Sequence, residues 1–125
     1  MKPGQTFSWE RTFTVEDIKT FTSISGDAGE HHVAVDEQGR LMAHGLLTAT
    51  LPTKIGGDLN FIARQMTFEF VRPVFSGDTI RCDVTVTAFE QQERYATMSC
   101  TWICRNQEGK EVLTGAGHGI IRHPR

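Results

Sequence analysis

The sequence contains few of the residues and runs that mark specialised classes of protein. Its 125 residues include only three cysteines and four prolines, and no apolar run is long enough to span a bilayer. Lysine and arginine number 13 against 15 aspartates and glutamates, and the basic residues are scattered rather than gathered into a stripe. These shortages argue against a membrane-spanning protein and against nucleic acid as a partner.

The cysteines predict neither a disulfide framework nor a zinc site. Their number is odd, and no CxxC or HxxxH pair accompanies Cys82, Cys100 and Cys104. We expect them to be reduced and buried as small hydrophobes, and we expect no metal ion and no organic cofactor. The first residues lead into no apolar run, so we also expect no signal peptide and a cytoplasmic location.

The length predicts one domain over residues 1–125. Hydrophobic residues make up 38% of the chain, which is enough for one core. The chain of 125 residues is too short for two domains. A chain of this size buries a smaller fraction of its surface than a larger domain does. Self-association would therefore help to stabilise it.

Two helices are predicted. Thr14 can cap the first, with Asp17 in the capping-box position and Gly26 at its end. The second lies within residues 41–55, where small or apolar residues on nearly every side indicate a buried helix. Pro52 should bend or end this helix, and the two glycines at 56 and 57 should close it. Residues 27–40 have no sustained period and predict a loop.

Four segments have the alternating pattern or composition of strands after residue 60, and one precedes the first helix. They cover residues 6–13, 66–70, 80–86, 95–104 and 112–121. Short turns between consecutive strands favour an antiparallel meander. Three glycines alternate in the last strand, at Gly115, Gly117 and Gly119, and should let it lie close to the central helix. The sequence thus predicts an α+β domain with one helix packed on one antiparallel sheet.

The densest functional signal lies in residues 25–32 and 43–45. A carboxylate at Asp27 and an imidazole at His32 can share a water, one orienting it and the other taking its proton. The unpaired amides at the start of a helix can stabilise a developing oxyanion. Gly45 has no Cβ, so a substrate carbonyl could approach its backbone. These residues predict activated water on one side of a polarised carbonyl.

At these positions the sequence resembles a known family. The matching elements are Ser25-Gly26-Asp27, His32, the helix opening at residues 43–47, and residues 68–74 with 77–80, which look like paired strands and their turn. They are similar to the MaoC-like hydratases, the (R)-specific enoyl-CoA hydratase family with the hot-dog fold. The resemblance spans nearly the whole chain.

The resemblance implies a fold, a reaction and a set of roles. The fold is an antiparallel sheet wrapped around one long central helix, and the reaction is reversible hydration of a trans-2-enoyl thioester to its (3R)-hydroxyacyl thioester. Asp27 and His32 would be the acid/base pair, and the Gly45 amide would be the oxyanion donor. The candidate substrate-binding residues are Ser25, His44, Thr53 and Glu30, of which Glu30 departs from the family's pattern. The substrate would be carried by coenzyme A or acyl carrier protein, and the protein would be a homodimer or a dimer-based oligomer.

Two alternative functions follow from a difference in the loop. The family's asparagine–proline pair corresponds to Gly29 and Glu30 here. The protein could instead be a hot-dog acyl-CoA thioesterase in which Glu30 or Asp27 directs water to the thioester carbonyl. It could also be a non-catalytic subunit that binds acyl thioesters.

Individual residues also have structural interpretations. Asp27 after a glycine could be a turn former that bonds its own backbone. His31 is better interpreted as a solvated side chain than as a reactive one. His44 could cap or pack the helix start rather than react.

Overall fold

The computed structural model describes residues 1–122, which form an α+β fold with one five-stranded antiparallel sheet. The elements in chain order are β1 Thr6–Thr12, α1 Val15–Ser25, α2 Glu30–Val33, α3 Gly45–Thr48, α4 Thr50–Asp58, β2 Phe61–Phe70, β3 Thr79–Gln91, β4 Ala96–Arg105 and β5 Glu111–Ile121. Within residues 1–122 no helix is long and apolar enough to cross a membrane.

The strand order in the sheet is β1-β3-β4-β5-β2. Strands β3, β4 and β5 form the antiparallel meander predicted from the sequence. The pairing expected between residues 68–74 and 77–80 is wrong, because β2 pairs with β5 and β3 pairs with β1 and β4. Alternation identifies a strand and its buried face, but it does not identify the partner strand. Strand β2 therefore forms one edge of the sheet.

Helix α1 has the predicted boundaries and caps. The Thr14 hydroxyl accepts the Asp17 N–H at 3.1 Å, and the Asp17 carboxylate accepts the Thr14 N–H at 2.9 Å, which completes the capping box. The Thr14 amide, together with the neighbouring Arg11, lowers the pKa of Asp17. Gly26 ends the helix with a φ of 76°, in the left-handed region that glycine adopts without strain. Ile18 anchors the helix in the core.

The central helix differs from its prediction in three respects. It consists of α3 and α4, with a break at Ala49, and it continues through Pro52 and past both glycines to Asp58. The break lies three residues before Pro52, because a proline lacks the N–H that would bond the carbonyl four residues earlier, at Thr48. Leu46 is exposed, as are Thr53 and Lys54, so the helix is buried on one side and not all round.

The predicted loop at residues 27–40 contains a helical turn. Helix α2 covers Glu30–Val33, and the His32 N–H bonds the Gly29 carbonyl at 2.8 Å. The turn was missed because four residues are too few to establish a helical period. It aims His32 inward and leaves its neighbour His31 exposed.

The glycines of β5 serve a different contact from the one predicted. A Cβ on Gly115 would lie 1.9 Å from the Thr67 carbonyl oxygen and 2.5 Å from Trp102 Nε1, and a Cβ on Gly119 would lie 2.1 Å from the Ile62 oxygen. These glycines therefore admit Trp102 and the backbone of β2, rather than the central helix.

The core lies between the sheet and the central helix, where α4 packs against β1, β2 and β3. All three cysteines are buried and free, as predicted. Cys82 faces Cys104 across β3 and β4, and its hydrogen bond with Cys104, together with burial, raises the pKa of the Cys82 thiol. The three buried thiols thus pack as small hydrophobes.

Candidate active site

A cavity of about 610 Å³ lies where α1, α2 and the start of α3 meet the end of β2. It brings together most of the residues singled out in the sequence. Its lining includes Ser25, Asp27, His31, His32, His44 and Gly45, with Phe21, Met42, Thr48, Phe70 and Arg72 among the others.

Asp27 is held by its own loop and presents one carboxylate oxygen to the cavity. Its Oδ1 accepts the Gly29 N–H at 3.2 Å, and its amide donates to the Ser25 hydroxyl at 3.0 Å. Its Oδ2 lies 3.6 Å from His32 Nε2. The turn-forming role weighed for Asp27 is therefore real, and it leaves the second oxygen available for chemistry.

His32 is buried, with a side chain only 7% exposed, whereas the Asp27 side chain is 57% exposed. The His32 Nδ1 lies 2.7 Å from the Met42 carbonyl oxygen. Because a carbonyl oxygen only accepts, Nδ1 carries the proton in this hydrogen bond. The neutral ring then has its lone pair on Nε2, the atom that faces Asp27. Met42 is itself fixed, since its N–H donates to the His31 carbonyl at 3.0 Å.

Gly45 is the first residue of α3, so its N–H belongs to the group of amides that have no partner within a helix. The ring of Phe70 covers this position closely. A Cβ on Gly45 would lie 2.5 Å from Phe70 Cε1. A side chain at residue 45 would therefore clash with this ring, which also lines the cavity.

His44 is 2% exposed and stands between the other site residues. Its Nε2 lies 2.9 Å from the Asp27 carbonyl oxygen and 3.2 Å from the Thr22 hydroxyl. Its ring stacks on that of His32, with centroids 3.8 Å apart and planes inclined by 16°. The sequence did not indicate this stacking, because residues 32 and 44 lie on different elements.

Two of the predicted substrate-binding residues lie outside the cavity lining. Glu30 is exposed at the start of α2. Thr53 lines a separate, apolar cavity of about 90 Å³ between α4 and the sheet, and its hydroxyl donates to the Thr50 carbonyl at 2.9 Å. Of the remaining two, Ser25 bonds the Asp27 amide and His44 bonds the Asp27 carbonyl, so both contact the loop that carries the carboxylate.

The histidines and the carboxylate have the ligand types of a metal site, but their geometry favours proton transfer. Ligand atoms of Asp27, His32 and His44 lie within 4.8 Å of one another. A metal ion binds an imidazole nitrogen in the plane of the ring at about 2.0–2.1 Å. Since the two rings are nearly parallel and stacked, their lone pairs run side by side and do not converge on one ion.

Three contributors to the site were missed in the sequence. The Met42 carbonyl and the Phe70 ring could not be identified, because one is a backbone group and the other acts from a distant strand. Thr22 could have been identified, because it lies four residues after the buried Ile18 and so on the inward face of α1.

Comparison with known proteins supports the resemblance. Residues 3–115 match the family model described as FAS1-like, dehydratase domain region. An (R)-specific enoyl-CoA hydratase from Rhodospirillum rubrum is 30% identical over 125 residues, covering 92% of this chain and 84% of the relative. A 3-hydroxybutyryl-CoA dehydratase from Methylorubrum extorquens is 28% identical, covering 100% of this chain and 82% of the relative.

Solved structures show the same fold. The (R)-hydratase from A. caviae involved in PHA biosynthesis has a TM-score of 0.85 and 24% identity, with 98% of each chain covered. A MaoC-like dehydratase from Rhodospirillum rubrum has a TM-score of 0.80 and 20% identity, covering 100% of this chain and 96% of that chain. The sheet and central helix are thus those of the hot-dog fold, and the chain belongs to the FAS1-like dehydratase domain family of MaoC-like proteins.

Proposed function

We propose that this protein is a hydro-lyase that adds water reversibly to a trans-2-enoyl thioester and forms the (3R)-hydroxyacyl thioester. The observation that carries the proposal is the pairing of Asp27 Oδ2 with His32 Nε2 at 3.6 Å on the wall of a cavity that also contains Gly45. The relatives named as an (R)-specific enoyl-CoA hydratase and a 3-hydroxybutyryl-CoA dehydratase support the same reaction.

Asp27 and His32 activate the water in this proposal. Both facing atoms are acceptors when the carboxylate is ionised and the ring is neutral, so one water can donate a hydrogen bond to each. His32 Nε2 takes a proton as the water oxygen bonds to the β-carbon of the enoyl group. The protonated ring is then stabilised by the adjacent Asp27 carboxylate.

Gly45 stabilises the charge that this addition creates. As the oxygen bonds to the β-carbon, the alkene electrons move onto the thioester and give an enolate-like oxygen. The unpaired Gly45 N–H can donate to that oxygen. The Asp27–His32 pair then delivers a proton to the α-carbon, so that one whole water has been added and the pair returns to its starting state.

The thioesterase alternative has less support. It was based on the altered loop at Gly29 and Glu30, with Glu30 or Asp27 directing the water, and Glu30 is exposed and outside the cavity lining. Asp27 could still direct water to a carbonyl carbon, and the relatives named as a hydratase and a dehydratase favour addition to the β-carbon. Coenzyme A and acyl carrier protein are both candidate carriers for the substrate.

We further propose that two copies associate along β2. This edge strand exposes Met66 and Phe70, at 43% and 55%, and Val71 beyond its end is 46% exposed. An exposed apolar edge strand is a template for pairing with another strand. Phe70 also lines the cavity, so a partner on this edge would help to enclose the site.

The assignment is tested by kinetics of two site variants with crotonyl-CoA. We expect Asp27→Asn and His32→Ala each to lower kcat by about 10²- to 10⁴-fold, the range for loss of a general acid–base group. Matched controls are Asp58→Asn, at an exposed helix position, and His118→Ala, on an exposed strand position. Near-normal turnover by both site variants would contradict the assignment.

A further inference from the structure

Four rings lie in contact in a row from α1 to the cavity. The row runs Phe21, His44, His32 and His31, with centroid separations of 4.9, 3.8 and 3.8 Å. The His44–His32 pair is stacked, whereas the first and last pairs are tilted by 55° and 52°. His44 occupies an inner place in it and is 2% exposed. A buried imidazole between a phenyl ring and the proposed base can act on that base without meeting substrate.

His44 forms a hydrogen bond with the backbone of the Asp27 loop. Its Nε2 faces the Asp27 carbonyl oxygen at 2.9 Å, which only accepts, so Nε2 carries the proton and donates. The Thr22 hydroxyl lies 3.2 Å from the same nitrogen and fixes the ring from α1. The His44 ring thus restrains the residue that carries the carboxylate.

The other ring nitrogen of His44, Nδ1, is not one of the two proposed reactive atoms. Nδ1 is buried and has no hydrogen-bond partner within the described part of the chain. The reactive atoms, Asp27 Oδ2 and His32 Nε2, face each other without it. What His44 gives to His32 is a parallel ring face at 3.8 Å, which limits rotation of the His32 ring about its bond to the Met42 carbonyl.

We propose that His44 is a positioning residue, fixed by Thr22, that holds the Asp27 backbone and the plane of the His32 ring so that their reactive atoms converge on one water. This proposal rests on the proposed function for its kinetic consequence. It replaces the substrate-binding role expected for His44 from the sequence. A substrate-binding residue and a positioning residue differ in which kinetic constant they change.

Three variants separate the two contacts of His44. His44→Phe keeps a stacking ring and removes the Nε2–H donor, whereas His44→Gln keeps an N–H donor at a similar reach and removes the ring. Thr22→Val removes the hydroxyl and keeps the shape of the side chain. Thr22→Val also serves if the His44 variants fail to fold, because Thr22 is only partly buried.

With crotonyl-CoA we expect His44→Phe to lower kcat by about 10- to 100-fold, with KM within about 2-fold of the wild type, as expected for misplacement of reacting groups. His44→Gln should retain more activity than His44→Phe, and Thr22→Val should lower kcat by a smaller factor. A raised KM with normal kcat would assign His44 to substrate binding. Normal kinetics in folded His44→Phe and Thr22→Val would show that His44 contributes only to packing.

A structural measurement tests the same proposal without activity. Crystal structures of the wild type and of Thr22→Val or His44→Phe give the Asp27 Oδ2–His32 Nε2 separation, which is 3.6 Å in the wild type. We expect a longer separation in the variants. An unchanged separation would overturn the positioning role. If the wild type hydrates no thioester and the separation still lengthens, the proposed reaction fails while the positioning role stands.

Discussion

Two side chains and one backbone amide carry the proposed chemistry, and each is held by a different kind of contact. Asp27 is fixed by backbone hydrogen bonds within its own turn, and His32 by a carbonyl from outside its helix. The ring of Phe70 leaves no room for a side chain at Gly45. The identity of each residue is therefore constrained by geometry as well as by its proposed role.

Gly45→Ala tests the oxyanion role at the residue scale. Its Cβ would lie 2.5 Å from Phe70 Cε1, but Phe70 is 55% exposed and its ring can turn aside. We therefore expect a loss of about 1–3 kcal/mol in the free energy of unfolding, the usual cost of inserting a methyl group into a packed site. The displaced ring or the new methyl group would also disturb the approach of the thioester carbonyl to the amide. A displacement of this kind should lower kcat by about 10²-fold.

The control for this variant is Gly57→Ala. Gly57 lies in α4 and does not line the cavity, and a Cβ added there would meet no atom within 4 Å. Chemical denaturation and turnover should be measured on both proteins. Wild-type turnover in a folded Gly45→Ala variant would remove the Gly45 amide from the mechanism.

At the scale of elements, α1 supports the site, because Phe21 and Thr22 contact His44 and Ser25 contacts the Asp27 loop. The capping box of Thr14 and Asp17 stabilises the N-terminus of this helix. Thr14→Ala removes the cap of the Asp17 N–H and should cost about 1 kcal/mol in the free energy of unfolding. Urea denaturation measures this, and Thr20→Ala on the exposed side of the helix is the matched control.

The capping box also has a predicted pH dependence. Because the Thr14 amide and Arg11 lower the pKa of Asp17 below its usual value of 3.8, the ionised carboxylate stabilises the folded state. This contribution is fully present above pH 3.8 and is lost as pH falls through the lower, folded-state pKa. The stability difference between wild type and Asp17→Asn should thus be constant near neutral pH and shrink in acid. An unchanged difference in acid would contradict the assigned cause.

The sequence predicted elements with strong local signals and missed those decided by tertiary contacts. Thr14 and Gly26 mark both ends of α1, because caps are local chemistry. The continuation of α4 past two glycines was missed, because packing against the sheet outweighs local propensity. Motif order predicted that Asp27 and His32 share one candidate site, and both line the cavity, but the stacking of His44 depends on how α1, α2 and α3 meet.

For the whole molecule, the proposed association along β2 would help to enclose the site, and it can be tested at that edge. Met66→Glu places a charge on an apolar position of that edge that is 43% exposed, so the isolated fold should tolerate it. We expect the wild type to be a dimer in light scattering and the variant to shift toward monomer and lose activity with it. Desolvating the new carboxylate in an apolar interface is the physical cause.

The matched control is Ile24→Glu, which makes the same kind of change at a position on α1 that is 79% exposed. It should leave the dimer unchanged. If Met66→Glu remains dimeric, β2 is not the interface. If the wild type is monomeric and fully active, the site needs no partner.

In the proposed reaction, water adds to the β-carbon of the enoyl group and not to the carbonyl carbon of the thioester. It is tested most directly by incubating the purified protein with crotonyl-CoA in H₂¹⁸O and locating the label by mass spectrometry. We expect an intact (3R)-3-hydroxyacyl thioester that carries one ¹⁸O in its 3-hydroxyl group, with no free thiol. Label in a carboxylate, with thiol released, would contradict it and identify the protein as a thioesterase.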